Sequence, residues 1–258
     1  MNKRTDDCIL RTLRKGGTCG SCPPTCPYYI SVHGFDGIGG RLSKASIPEE
    51  FQSMIISDNP VRDEQPKLFA SLEKYVESFS KMFDEDKRGV QQYIKNIYLY
   101  SEEVGTGKTA TASILANEFM ARHYIGNMQR NKTPSENAVY FLDCPEFQQL
   151  YTQFTRPNIP KDVAERASRQ YYDMMERAKT SEFVVMDDIG VREATEGFRG
   201  DLHTIVNHRY VSKKPTVYTS NIPMEELTDV FDSRMYDRIR DLTFQYTFDG
   251  KSKRGNRK

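Results

Sequence analysis

Residues 97–109 read IYLYSEEVGTGKT, and this stretch decides the fold. The run 97–100 (IYLY) has the apolar, β-prone composition of a buried strand, and a helical pattern opens at Thr109. The glycine-bearing segment between them therefore sits in a strand–loop–helix context, the setting a phosphate-binding P-loop requires. Gly105 and Gly107 let backbone N–H groups approach phosphate oxygens, and the helix N-terminus adds its partial positive charge. Lys108 is placed to reach the β- and γ-phosphates of ATP and Thr109 to hold Mg²⁺, with Val104 and Thr106 completing the cradle. Where G-x4-G-K-T has its first glycine, this chain has Glu102. A carboxylate beside an anion site is unfavourable, so Glu102 is expected to point outward at the start of the loop.

Further along, FVVMDD (183–188) is an apolar strand ending in two carboxylates, the pattern of a Walker B element. Asp187 is the candidate Mg²⁺ partner and Asp188 the residue that orients or polarises the attacking water. The next strand, 216–219, runs into Ser220 and Asn221, and Asn221 at its tip is the candidate γ-phosphate sensor; a turn-capping role is the plainer alternative. In DSRMYDRIR (232–240), Arg234 and Arg238 lie four apart, on one face of a helix, where one of them can serve as an arginine finger to a neighbouring subunit. An ion-paired, solvated helix is the plainer reading.

The rest of the chain alternates in the same way. Helices are expected over 109–123, 146–154, 162–179 and 195–211 and near Met224, and strands over 138–142 and 242–248. Alternation of this kind argues an α/β fold, a P-loop NTPase core whose parallel sheet lies between helices. The core is expected to span 67–250, entered through an apolar helical face at Leu68, Leu72, Tyr75, Val76, Phe79 and Phe83. A polar linker, 46–66, precedes it, and a tail, 251–258 (KSKRGNRK), carries five basic residues in eight and is expected to be disordered. No apolar run approaches the roughly 18 residues of a membrane span, and the polar N-terminus is unlike a signal peptide, so a cytoplasmic, membrane-free protein is expected. With 37 basic and 36 acidic residues, the net charge of +1 excludes a strong overall pull toward nucleic acid and leaves only local patches.

Four of the five cysteines fall within residues 1–45. Cys19-x2-Cys22-x3-Cys26, with Cys8 upstream, offers four thiolates for a tetrahedral Zn²⁺ site in a small module held by metal rather than by a core. An iron–sulfur cluster would use the same thiolates, and His33 is an alternative to Cys8. Cys144, alone in an apolar stretch, reads as core.

Taken together, SEEVGTGKT, FVVMDDIG, VYTSN and SRMYDRIR resemble the helicase-loader branch of AAA+ proteins, the DnaC/DnaI type of bacteria and their phages, with the IstB transposition helpers close by. The resemblance spans about residues 60–250 and implies a five-stranded AAA+ core, ATP hydrolysis, and Arg234 as the finger. It implies a C-terminal lid that is reduced or absent, with little sequence after the last strand to build one. Its further implications are a homo-oligomer, a hexameric ring or spiral, which engages single-stranded DNA and delivers a replicative DNA helicase held by the cysteine module. Within 147–162, Phe154, Arg156 and Lys161 then offer an aromatic platform and phosphate partners to DNA, although an ordinary loop is the plainer reading. Two other outcomes stay open: an IstB-like helper coating duplex DNA, or a nucleotide-gated adaptor with little turnover.

Overall fold

Five short strands carry the buried apolar runs: β1 (Asn96–Tyr100), β2 (Val139–Asp143), β3 (Phe183–Asp187), β4 (Thr216–Ser220) and β5 (Thr243–Thr247). In this computed structural model, which describes residues 7–11, 13, 23, 25–84, 92–190, 194–231, 233–250 and 252, they form one sheet in the order β2-β3-β4-β1-β5. β3 pairs with β4, β4 with β1 and β1 with β5, all parallel. Parallel strands covered on both faces read as near-continuous apolar runs, which is what β1 and β3 are. Ile97, Tyr98 and Leu99 and all of 183–186 are buried, whereas the edge strand β5 has no buried residue and its Phe244 is exposed. Cys19, Cys22 and, apart from Ser252, the basic tail lie outside the described residues.

The chain divides into two compact units, residues 1–94 with 110–140, and residues 95–109 with 141–258. In the first, α1 (Pro27–His33), α2 (Gly40–Lys44) and α3 (Pro66–Glu77) accompany the long helix α4 (Lys108–Gln129), whose residues from 110 onward belong here. Residues 110–121 of α4 are all buried. Its polar groups find partners in 46–66, expected from sequence as a bare linker. Asn117 donates to the carbonyls of Phe51 and Met54 at 2.7 and 2.9 Å, the Ile56 N–H donates to Glu118 at 2.9 Å, and Asn59 donates to Thr111 at 2.9 Å. Ile47, Phe51, Ile55 and Val61 are buried beside those bonds. The apolar face expected over 68–83 is present as α3 and a following 3₁₀ turn, 78–83, with Phe69, Leu72, Tyr75, Val76 and Phe79 buried and Leu68 and Phe83 only half-buried. Phe79 packs edge-on against Phe119 of α4.

In the second unit, helices α5 (Cys144–Thr155), α6 (Lys161–Thr180), α7 (Glu196–Val211), α8 (Leu227–Val230) and α9 (Ser233–Asp241) connect the strands. Capping sets two of the starts: Asp143 accepts from the Glu146 N–H at the head of α5, and Thr195 from the Phe198 N–H at the head of α7. Phe147 of α5 stacks on Tyr171 of α6 at 4.1 Å between centroids, and Phe198 of α7 lies against Phe147 at 5.5 Å, so aromatic contact joins the three helices. Arg209 of α7 is buried and spends its guanidinium on five acceptors: Thr216 Oγ1 and the carbonyls of Ala178, Ser181, Glu182 and Pro215. It thereby closes the C-terminus of α6 and fixes the start of β4. Burial lowers its pKa to about 9.

Candidate nucleotide site

The strand order inserts β4 between the strand that feeds the P-loop and the strand that ends in two aspartates. Register then brings their C-terminal tips together: Tyr100 pairs with Ser220, and Met186 with Tyr218, which sets Asp187 beside Thr219. In open parallel sheets this end is where ligands bind.

Each residue expected at the site has a definite place within the second unit. Gly105 and Gly107 have φ of 76° and 100°, left-handed values that a side chain would strain. Lys108 opens α4, is buried, and its ammonium donates to the carbonyls of Ser101 at 3.1 Å and Glu103 at 3.0 Å. Thr106 is buried, Val104 is 48% exposed, and Glu102 lies on the outside, its carboxylate accepting from the Tyr100 hydroxyl at 3.2 Å. The Thr109 hydroxyl stands 3.1 Å from both carboxylate oxygens of Asp187. A hydroxyl and a carboxylate converging under a glycine-cradled loop form a hard-oxygen donor pair, and these residues fit Mg²⁺.

Burial pushes the Asp187 carboxyl up from 3.8 to about 6, with the charges of Asp143 and Asp188 acting the same way; hydrogen bonds from Thr219 and Thr109 pull it down. The folded chain thus holds a proton between pH 3.8 and about 6 that the unfolded chain has released. Stability of the metal-free protein therefore falls as pH rises through that window and levels off above it. Asp187→Asn is expected to melt higher than the parent above pH 6 in EDTA, by up to about 3 kcal/mol, with the advantage vanishing below pH 4. Equal melting of the two proteins at pH 7.5 would refute this.

Asp188 takes φ of 56°, unusual for a residue with a side chain, and its N–H donates to Thr219 Oγ1 at 2.8 Å. Asn221 stands just past β4, half-buried, and its Oδ1 is buried without a hydrogen-bond partner. On α9 the two arginines differ. Arg238 contacts His203 Nε2 at 2.8 Å, whereas Arg234 is exposed and its side chain has no partner among the described residues.

Thr219 and Tyr98 had no assigned role in the sequence reading. Thr219 is a polar residue at the tip of an apolar strand beside the paired aspartates, and that position was the available signal. Of the segment 147–162, Phe147 fills the core, Phe154 is half-buried against Tyr151 and Tyr171, and Arg156 and Lys161 are exposed. Burial raises the Cys144 thiol well above its usual range, as suits a core residue.

Of the four clustered cysteines, Cys8 and Cys26 are described, and both are buried. His33 is buried too, stacked on Tyr29, with its Nε2 accepting from the Ile9 N–H at 3.3 Å. That bond occupies one of the two ring nitrogens an alternative ligand would use. Among the described residues no three His, Cys, Asp or Glu side chains come together as a metal site. No helix among them is long and apolar enough to cross a membrane.

The parallel sheet with a glycine-bearing loop and paired aspartates at its strand ends is a P-loop type of fold, similar to that of the solved DnaI and DnaC helicase loader structures. No family model matches the chain. Among curated proteins it is similar to replicative helicase loaders. It is 26% identical over 217 residues to the replicative helicase loader DnaI of Bacillus subtilis, covering 79% of this chain and 58% of that protein. Against the replicative helicase loader DnaC of Escherichia coli it is 24% identical over 153 residues, 58% of this chain and 54% of that one. The chain thus spans little more than half the length of the curated relatives it matches. A crystal structure of DnaI superposes with a TM-score of 0.55 at 19% identity, over 83% of this chain and 100% of that one, a likeness of fold.

Proposed function

We propose that this protein is an ATP-dependent loader of a hexameric replicative helicase onto single-stranded DNA, with ATP binding and hydrolysis as its assembly and release switch. The observation that carries the reading is the sequence likeness to DnaI over 217 residues, running through an assembled P-loop and aspartate pair.

Residues 104–109 hold the triphosphate, with Lys108 turning its ammonium from loop carbonyls to phosphate oxygens. Thr109 and Asp187 hold Mg²⁺, which when bound neutralises phosphate charge. Asp188 orients the attacking water and accepts its proton, and the Asn221 amide contacts the γ-phosphate. Arg234 reaches the nucleotide of the next subunit, which requires a homo-oligomer, a ring or spiral. Phe154, Arg156 and Lys161 contribute to a single-strand contact. Cys8, Cys19, Cys22 and Cys26 hold Zn²⁺ in the N-terminal part that meets the helicase; donor chemistry supports this, and a purified protein free of both zinc and iron would refute it. The bacterial cytoplasm is the compartment in which such a protein works.

The test is ATP hydrolysis with and without single-stranded DNA, together with capture of the host's replicative helicase on immobilised protein. Helicase capture and ATP-dependent single-strand binding are expected. ATP-dependent filaments on duplex DNA without helicase capture would instead favour an IstB-like helper, and binding without phosphate release a nucleotide-gated adaptor.

A further inference from the structure

We infer that Thr219 is a positioning residue of the nucleotide site, the link through which the tip of β4 sets both aspartates. The inference rests on the ATPase reading above and deepens it. Thr219 is 2% exposed and makes three bonds to the aspartate turn. Its hydroxyl donates to Asp187 Oδ1 at 2.7 Å, the same oxygen accepts from the Asp188 N–H at 2.8 Å, and its carbonyl accepts from the Ile189 N–H at 2.9 Å. One hydroxyl therefore orients the carboxylate that shares Mg²⁺ with Thr109 and also holds the backbone of Asp188, which sits at φ of 56°. A left-handed backbone at a non-glycine residue persists only when its surroundings over-determine it, and these bonds are part of that constraint.

The same strand tip is tied to the P-loop side. The Ser101 N–H, at the entrance to the loop, donates to the Ser220 carbonyl at 3.3 Å. Beyond it, Tyr98 of β1 donates its hydroxyl to the Ile222 carbonyl at 2.8 Å, and the Ile222 N–H donates to Ser220 Oγ at 3.2 Å. Gly190 closes the arrangement, since a Cβ there would lie 2.7 Å from Ser220 Oγ and 3.1 Å from Ile222. Asn221 is held between these fixed residues, two positions after Thr219. A displacement of Asn221 on contact with phosphate is thus passed through Ser220 and Thr219 to Asp187 and Asp188.

The experiment compares the full-length parent with Thr219→Val, which keeps the volume and branching but removes the hydroxyl, and with Thr219→Ser, which restores it. A fluorescent ATP analogue is titrated in EDTA and then at increasing Mg²⁺. Binding in EDTA is expected to match the parent, the Mg²⁺ concentration giving half-maximal enhancement to rise about tenfold, and turnover to fall by more than that. Thr219→Ser is expected to restore both. A Thr219→Val protein with the parent's Mg²⁺ dependence would overturn the inference, as would a serine variant as impaired as the valine one, since packing alone would then be at work. If Thr219→Val does not fold, Thr219→Ala is titrated against Thr219→Ser with the same two outcomes. A parent that binds the analogue with no response to Mg²⁺ would overturn the ATPase reading itself, a different result from a parent and variant that respond alike.

Discussion

Nucleotide binding is expected to be lost when Lys108 is replaced by alanine. The ammonium is buried beside the carbonyls of Ser101 and Glu103, at 3.1 and 3.0 Å, and phosphate oxygens would offer it charged acceptors, which make the stronger bonds. Removing it leaves the loop with backbone N–H groups and a helix terminus against a multiply charged anion. A charge-assisted bond in a partly dehydrated site is worth about 3 kcal/mol or more, which puts the loss at a hundredfold or beyond. Calorimetric titration with ATP and Mg²⁺ measures it, with melting of the unliganded variant as the control for folding. Unchanged affinity would remove the P-loop assignment. Lys108→Arg is expected to bind weakly as well, because a planar fork does not replace a compact ammonium in a glycine-lined turn.

Arg234→Ala is expected to bind ATP as the parent does and to turn over about 10³-fold more slowly or worse. The reason is positional. Arg234 is exposed on α9 with its side chain unpartnered among the described residues, whereas Arg238 is drawn to His203. A guanidinium left in solvent on a short helix adds little stability, so its loss is cheap for the fold. If the finger acts between subunits, mixing Arg234→Ala with Asp188→Asn assembles some interfaces with an intact Asp188 on one side and an intact Arg234 on the other. Phosphate release from the mixture is then expected to exceed that of either variant alone. Absence of recovery would count against a shared site.

Much of this architecture was legible in the residues, because its signals are local. The strand 97–100, the glycines at 105 and 107 and the aspartates at 187 and 188 each announce their geometry within a few positions. Boundaries were less legible. Helix α4 was expected to stop at residue 123 and continues to Gln129, since Tyr124 is still buried, and the chain turns at Asn131 with φ of 55°, where the Lys132 N–H reaches the Asn127 carbonyl. Such an asparagine stop is a sequence signal, but it competes with earlier polar residues that also read as an end.

Three features came only from tertiary structure. Arg209 reads as an ordinary helix-surface charge until its five acceptors, drawn from the end of α6 and the start of β4, enclose it. Residues 46–66 read as a linker until α4 offers Asn117, Glu118 and Thr111 to their backbone and side chains. Thr219 reads as one β-branched residue in a strand until strand order sets it against Asp187. By itself the sequence marked the five strands and the loop and helix that follow the first of them, and it set glycines, a lysine and carboxylates at spacings that suit phosphate and Mg²⁺, because those depend on backbone preference and on spacing along the chain. Which polar groups are buried, and whom they bond, was decided by the tertiary structure, because a hydrogen bond between distant segments exists only once packing has excluded water and brought its two ends together.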